Sequence, residues 1–198
     1  DGAGLGFTGV IAMAQHTLSV LVENSPGVLA RVASLFSRRG YNIDSLAVGP
    51  TENPEISRIT IVLNLEGHAL DQVSAQLFKL VNVIGIQEMT EQNSRQRELL
   101  FVKVDGTGGK RNDVVAVAAR YEGVVVDEKD GSLTIQAVGT SADLANLLGE
   151  LKKFGIKELV QSGVIAIELG AMTLVDRTLT ETGLASSDSH AQTEDYQN

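Results

Sequence analysis

The chain has 198 residues, 43% of them hydrophobic and 21% charged, with a formal net charge of −9 and no cysteine. That composition is globular. The acidity argues against a nucleic-acid surface, the missing cysteines exclude disulfides, thiolate metal sites and a cysteine nucleophile, and no apolar run is long enough to span a membrane. One large or two small domains are expected from the length.

Residues 1–15 are rich in Gly and Ala and begin with Asp1. They read as a flexible or processed end without a function of their own. From Thr17 to Val22 apolar residues alternate, as in a half-buried strand. Ser25 reads as an N-cap, Pro26 as the first helical residue and Gly40 as the stop of a helix over 26–39. The amides of Gly27 and Val28 would then face outward at the positive end of the helix dipole, a place for a carboxylate. Asn24, beside them, carries both a donor and an acceptor and suits a ligand with both charges. Strands follow over 42–48 and 57–65, flanking a turn at 49–54. Leu70, Val73, Leu77, Leu80 and Val81 read as the face of a second helix, and 82–90 as a fourth strand. The half-apolar outer faces of Thr60 and Val62 point to a sheet covered by another subunit. The polar run 91–96 reads as a linker.

A second round begins at Leu99. A strand to Val104 and a glycine-rich turn are followed by a helix face of Val114, Val117, Ala118 and Tyr121. Val124–Val126 and Leu133–Ile135 flank the hairpin signal Lys129-Asp130-Gly131-Ser132. Thr140 and Asp143 have capping-box spacing before a last helix that ends at Gly155. Val164–Leu169 reads as a final strand, and 171–198 as a polar tail in which Leu174, Val175 and Leu179 suit a short docked helix. Gly106, Gly108 and Gly109 before Lys110 do not match the spacing of a phosphate loop. His16, His68 and His190 are too far apart in sequence to suggest a metal site. No catalytic set is indicated by spacing.

Asn24-Ser25-Pro26-Gly27-Val28-Leu29, with Leu35-Phe36-Ser37-Arg38-Arg39-Gly40-Tyr41-Asn42-Ile43, resembles the ACT domain, an amino-acid-sensing module. Ser57-Arg58-Ile59-Thr60, Gln76 to Val83 and Arg97-Glu98-Leu99-Leu100 make the chain similar to the regulatory (small) subunit of acetolactate synthase over about residues 16 to 169. The resemblance implies an α+β fold of two ferredoxin-like sandwiches. These are an ACT domain (βαββαβ) over 16–90 and a small-subunit domain over 97–170. It also implies a regulator without catalysis of its own, which activates the catalytic subunit and confers feedback inhibition by valine in branched-chain amino-acid synthesis. Thiamine diphosphate, magnesium and FAD would belong to that catalytic subunit. The implied effector site lies between two ACT domains of a homodimer: Asn24, Gly27 and Val28 from one chain, Asn42 and Ile43 from its partner. The implied setting is the bacterial cytoplasm or the plastid stroma. Valine, leucine and isoleucine stay open as effectors, since one methylene is worth only about 1–3 kcal/mol in an apolar pocket. A free-standing ACT sensor of another enzyme is the alternative. An acylphosphatase-like enzyme is disfavoured, because the first loop has no arginine and Arg31 falls inside the helix.

Overall fold

The computed structural model describes residues 13–66 and 69–181. The chain divides into two compact units. One takes residues 1–44, 49–88 and 173–198, and the other takes 45–48 and 89–172.

The first sheet and its helices are β1 (Met13–Glu23), α1 (Val28–Arg39), β2 (Ile43–Pro50), β3 (Ile56–Glu66), α2 (Ala69–Phe78) and β4 (Val83–Met89). The sheet order is β2-β3-β1-β4, so β2 and β4 are edges. β1 and β3 pair antiparallel with Leu18 opposite Ile61 and Val20 opposite Ile59. Period-two alternation puts these residues on one face with Val22 and Leu63, against Val28, Val32 and Phe36 of α1 and Val73 and Leu77 of α2. α1 ends at Gly40, whose left-handed conformation (φ 69°) lets its amide reach the carbonyls of Phe36 and Ser37. β1 begins at Met13, so part of the expected N-terminal segment is strand.

Three expectations about this unit need correction. The helix starts at Val28, not Pro26, and Gly27 rather than Ser25 is its N-cap. Val81 is not on the second helix face: α2 stops at Phe78, and Val81 is 91% exposed. The outer face of the sheet is not left for another subunit. Thr17, Ser19, Leu21, Thr60 and Val62 are all buried within the single chain. The short docked helix expected after residue 171 is present. α5 (Leu174–Glu181) belongs to the first unit, where its Thr178 packs over Gly85 of β4, opposite the α1–α2 layer. Thr173 and Asp176 cap this helix reciprocally, through a Thr173 Oγ1 to Asp176 carboxylate bond of 2.7 Å and an Asp176 amide to Thr173 Oγ1 bond of 3.0 Å. Residues 186–198 and His68 lie outside the described residues.

Contact with Thr178 makes a prediction. A Cβ at Gly85 would stand 2.3 Å from Thr178 Oγ1. Gly85→Ala should therefore lower stability by about 1–3 kcal/mol, the usual cost of overpacking. Gly85→Ala with Thr178→Ala should recover much of the loss in thermal denaturation. A loss that Thr178→Ala does not relieve would show that α5 does not pack there.

The second unit repeats the topology with β5 (Ser94–Asp105), α3 (Arg111–Arg120), β6 (Val124–Lys129), β7 (Ser132–Gly139), α4 (Ser141–Leu151) and β8 (Ile156–Gln161). Its order β6-β7-β5-β8 matches that of the first sheet, and β9 (Ile165–Glu168) adds a further pairing to the start of β5. β5 absorbs Ser94–Gln96, so the expected linker shrinks to residues 91–93. β8 has no counterpart in the sequence reading. The hairpin at Asp130 and Gly131 has both residues at positive φ, 51° and 72°, as a primed turn requires. Thr140 and Asp143 form the expected capping box. Leu100, Val102, Val104, Leu133 and Ile135 pack on Val114, Leu144, Leu147 and Leu151.

Candidate functional site

The turn after β1 is a type II β-turn. Pro26 occupies its second position, where φ is preset, and Gly27 its third, with φ 84° and ψ −5°. The Val28 amide closes the turn on the Ser25 carbonyl at a long 3.5 Å, and the Arg31 amide reaches the Gly27 carbonyl at 3.1 Å. Only glycine takes this φ without strain. A Cβ built at Gly27 meets nothing within 4 Å, so the space above it is open. The helix has no side-chain cap, which leaves its first turn to present amides outward. Val28 contributes backbone only, since its side chain is buried in the core.

Asn24 is fixed from both ends. Its amide donates to the Glu55 carbonyl at 2.7 Å, and its Nδ2 donates to the Pro54 carbonyl at 2.9 Å. The β2–β3 turn that receives it is itself held by Thr51 Oγ1, which accepts from the Asn53 amide at 3.1 Å and donates to the Ile56 carbonyl at 3.0 Å. A second support was not legible in the sequence. Asn82 Nδ2 donates to Glu23 Oε2 at 2.6 Å, and Arg31 donates to Asn82 Oδ1 at 2.6 Å. The turn is thus tied to the start of β4 and to α1. The only hint in sequence is the polar Asn82 between two apolar runs.

Asn42 and Ile43 lie elsewhere. Asn42 Nδ2 donates to Asp44 Oδ1 at 2.8 Å, and Asn64 Nδ2 bonds the other Asp44 oxygen. Ile43 turns partly into the core of its own unit. A groove of about 600 Å³ beside them is lined by Tyr41, Asn42, Asn64, Leu65, Ala69 and Gln72, among others. Glu23 faces Ile56 in the β1–β3 register, so Asn24 sits at the start of β3, and Asn42 sits near Asn64 at its end. Eight residues of strand separate the two places, about 27 Å. One chain does not bring the five residues together.

The corresponding turn of the second unit is closed by its own carboxylate. Asp105 Oδ2 accepts from Lys110 at 2.6 Å and Oδ1 from the hydroxyl of Thr107 at 2.8 Å. The Lys110 ammonium and the Thr107 donors hold the Asp105 carboxyl well below the usual carboxylate range. A ligand carboxylate placed there would meet a like charge. Among the described residues no group of three or more His, Asp or Glu could hold a metal ion.

This carboxylate gives a pH prediction. Asp105, Asp143 and Asp176 are all lowered from an ordinary value of 3.8, mainly by bonds from Lys110, Thr140 and Thr173 respectively. A depressed folded value stabilises above the unfolded value and loses that contribution as pH falls through the folded one. Stability should be flat near neutrality and fall below about pH 4. Asp105→Asn should lower the melting temperature at pH 7 more than at pH 3. Equal losses at both would show that the ionised carboxylate contributes nothing.

Comparison with known proteins matches two family models in order. An AHAS small subunit-like ACT domain matches residues 18–85, and a model described as small subunit of acetolactate synthase matches 97–170. The acetolactate synthase small subunit of Mycolicibacterium smegmatis is 51% identical over 155 residues, 78% of this chain and 91% of that one. A probable acetolactate synthase small subunit of Archaeoglobus fulgidus is 41% identical over 79% of this chain and 98% of its own. The crystal structure of the acetolactate synthase small subunit from Thermotoga maritima superposes with a TM-score of 0.74 at 27% identity, covering 80% of this chain and 99% of that one.

Proposed function

Because the chain belongs to the acetolactate synthase small-subunit family, we propose that it binds the catalytic subunit of that enzyme, raises its activity and makes it answer to valine. It performs no chemistry itself. Thiamine diphosphate, magnesium and FAD belong to the catalytic subunit in this reading.

The observation that supports a valine site shared between two chains is that Asn24 and Asn42 lie at opposite ends of β3. β2 is an edge strand, and it forms a hairpin with β3 through the 51–55 turn. A strand at the edge of a sheet is a template for another strand. A second copy paired antiparallel on that edge about a two-fold axis sets Ile43 of one β2 opposite Pro50 of the other. The partner's Asn42 then comes beside the turn that holds Asn24. Asn24, the Gly27 and Val28 backbone, the partner's Asn42 and the partner's Ile43 surround one ligand, and symmetry makes two such sites. The outward amides at the start of α1 take the carboxylate, and the two asparagines take the ammonium and the remaining carboxylate oxygen.

Acetolactate formation by the reconstituted complex, titrated with valine, leucine and isoleucine separately, tests the reading. Activation without any branched-chain response would remove the valine site and keep the subunit role. No activation at all would remove both. A free-standing sensor of some other enzyme predicts that second result.

A further inference from the structure

α1 and α2 enclose a groove of about 430 Å³ on the face of the first unit away from the β-sheet. It is lined by Arg31, Arg38, Arg39 and Lys79 together with Leu35 and Leu80. Four cations and no acidic residue line it, in a chain whose net charge is −9. All four are exposed. Arg31 donates to Asn82. None of the four takes part in an ion pair among the described residues. Helix dipoles favour Arg38 and Arg39 at the end of α1 and Lys79 just past the end of α2. They disfavour Arg31, in the first turn of α1, and they do not account for the missing counter-charges.

Residue spacing gives the groove its form. Arg31, Leu35 and Arg38 lie at i, i+4 and i+7 along one face of α1. From Arg31 to Arg38 that face runs about 10.5 Å, or two helical turns. Leu35 and Leu80 line the groove while packing on the core of the same unit. Val81, next in the chain, is 91% exposed. Arginines around an apolar strip have the composition of a protein-docking surface. Guanidinium forks take carboxylates two bonds at a time, and a furrow between two helices accepts a short segment laid along it. Four unpaired cations repel one another, and a partner carrying carboxylates relieves that repulsion. The net negative charge of the rest of the chain disfavours such a partner elsewhere, so charge alone directs it to this face.

We propose that the α1–α2 groove docks an acidic segment of the catalytic subunit, with its carboxylates against Arg38, Arg39 and Lys79 and an apolar side chain over Leu35 and Leu80. The inference rests on the regulatory reading above and gives it an attachment surface. Arg31 also belongs to the Arg31–Asn82–Glu23 chain of hydrogen bonds that supports the Asn24 turn. A segment seated in the groove therefore meets a residue that holds the effector turn in place.

Zero-length carbodiimide coupling of the full-length protein with its catalytic subunit, followed by activation assays, tests the surface. The expected result is an amide cross-link from Lys79 to an aspartate or glutamate of the catalytic subunit, suppressed by half-molar salt. Arg38→Glu/Arg39→Glu should raise the small-subunit concentration needed for half-activation at least about tenfold. Changing the cross-linked carboxylate of the catalytic subunit to lysine should recover most of that loss. Arg38→Gln/Arg39→Gln places no negative charge at the helix end, and it should shift activation in the same direction by less. Links from Lys79 only to a second small subunit would overturn the proposal. So would activation by the charge-reversed pair at wild-type concentrations, or a loss that the lysine swap does not relieve. Inorganic pyrophosphate that blocks the Lys79 link more than sodium chloride of equal ionic strength would assign the groove to a phosphate ligand and overturn it too. In each of these cases activation by the wild type keeps the regulatory reading. A wild type that does not activate removes both.

Discussion

Gly27→Asp should raise the valine concentration for half-inhibition of the reconstituted enzyme by at least about a hundredfold, with activation retained. Two effects act together. Gly27 holds φ 84°, and an L-residue held in the left-handed region costs about 1–2 kcal/mol. The new carboxylate also stands at the helix start, where the proposed site holds the effector's carboxylate, so two like charges compete for the same amides. The fold should tolerate the change, since a Cβ there meets nothing within 4 Å. Gly27→Ala separates the two effects. It carries the backbone strain without the charge, so its shift should be much smaller. A wild-type valine response from Gly27→Asp would place the effector away from this turn.

The same residue shows where sequence reasoning stops. Ser25-Pro26-Gly27 satisfies the rules for an N-cap followed by a first-turn proline. It also satisfies those for a type II turn, and the structure takes the turn because Gly27 at the third position closes it. The strands of both cores were legible because they alternate. β8 was not: it is an edge strand, exposed along nearly its whole length, with no apolar period to detect. Val81 continues the helical spacing of Leu77, but α2 ends three residues earlier, and periodicity alone does not mark a stop. α5 was legible only from Leu174, Val175 and Leu179 within a polar stretch, and Thr173 with Asp176 adds a capping signal as good as that of Thr140 and Asp143. At the site, residue types were readable and supports were not. Asn24 rests on Pro54, thirty positions away, and Glu23 and Arg31 meet through Asn82. Such partners are set by strand register and by where two loops come to lie, and no local pattern records them.

The divided site makes a second large effect testable by mixing. Asn24→Ala removes a residue that bonds the β2–β3 turn through Nδ2 and faces the ligand in the proposed assembly. A hydrogen bond to a charged group is worth about 1.5–3 kcal/mol, so valine binding should weaken about tenfold to a hundredfold. Asn42→Ala should do the same from the opposite end of β3, although it touches neither Asn24 nor the Gly27 turn in its own chain. Each variant alone therefore gives a dimer with two damaged sites. In a mixed dimer of the two variants, one site takes its Asn24 from the Asn42→Ala chain and its Asn42 from the Asn24→Ala chain, and is wild type throughout. The other site carries both substitutions. Co-refolding the variants with the catalytic subunit should restore inhibition at wild-type valine concentrations in about half the complexes, the random mixing fraction for a dimer. If both residues served a site inside one chain, every chain in the mixture would stay damaged and no sensitive fraction would return. A mixture no more sensitive than either variant alone would thus exclude the shared site, even with both single variants desensitised.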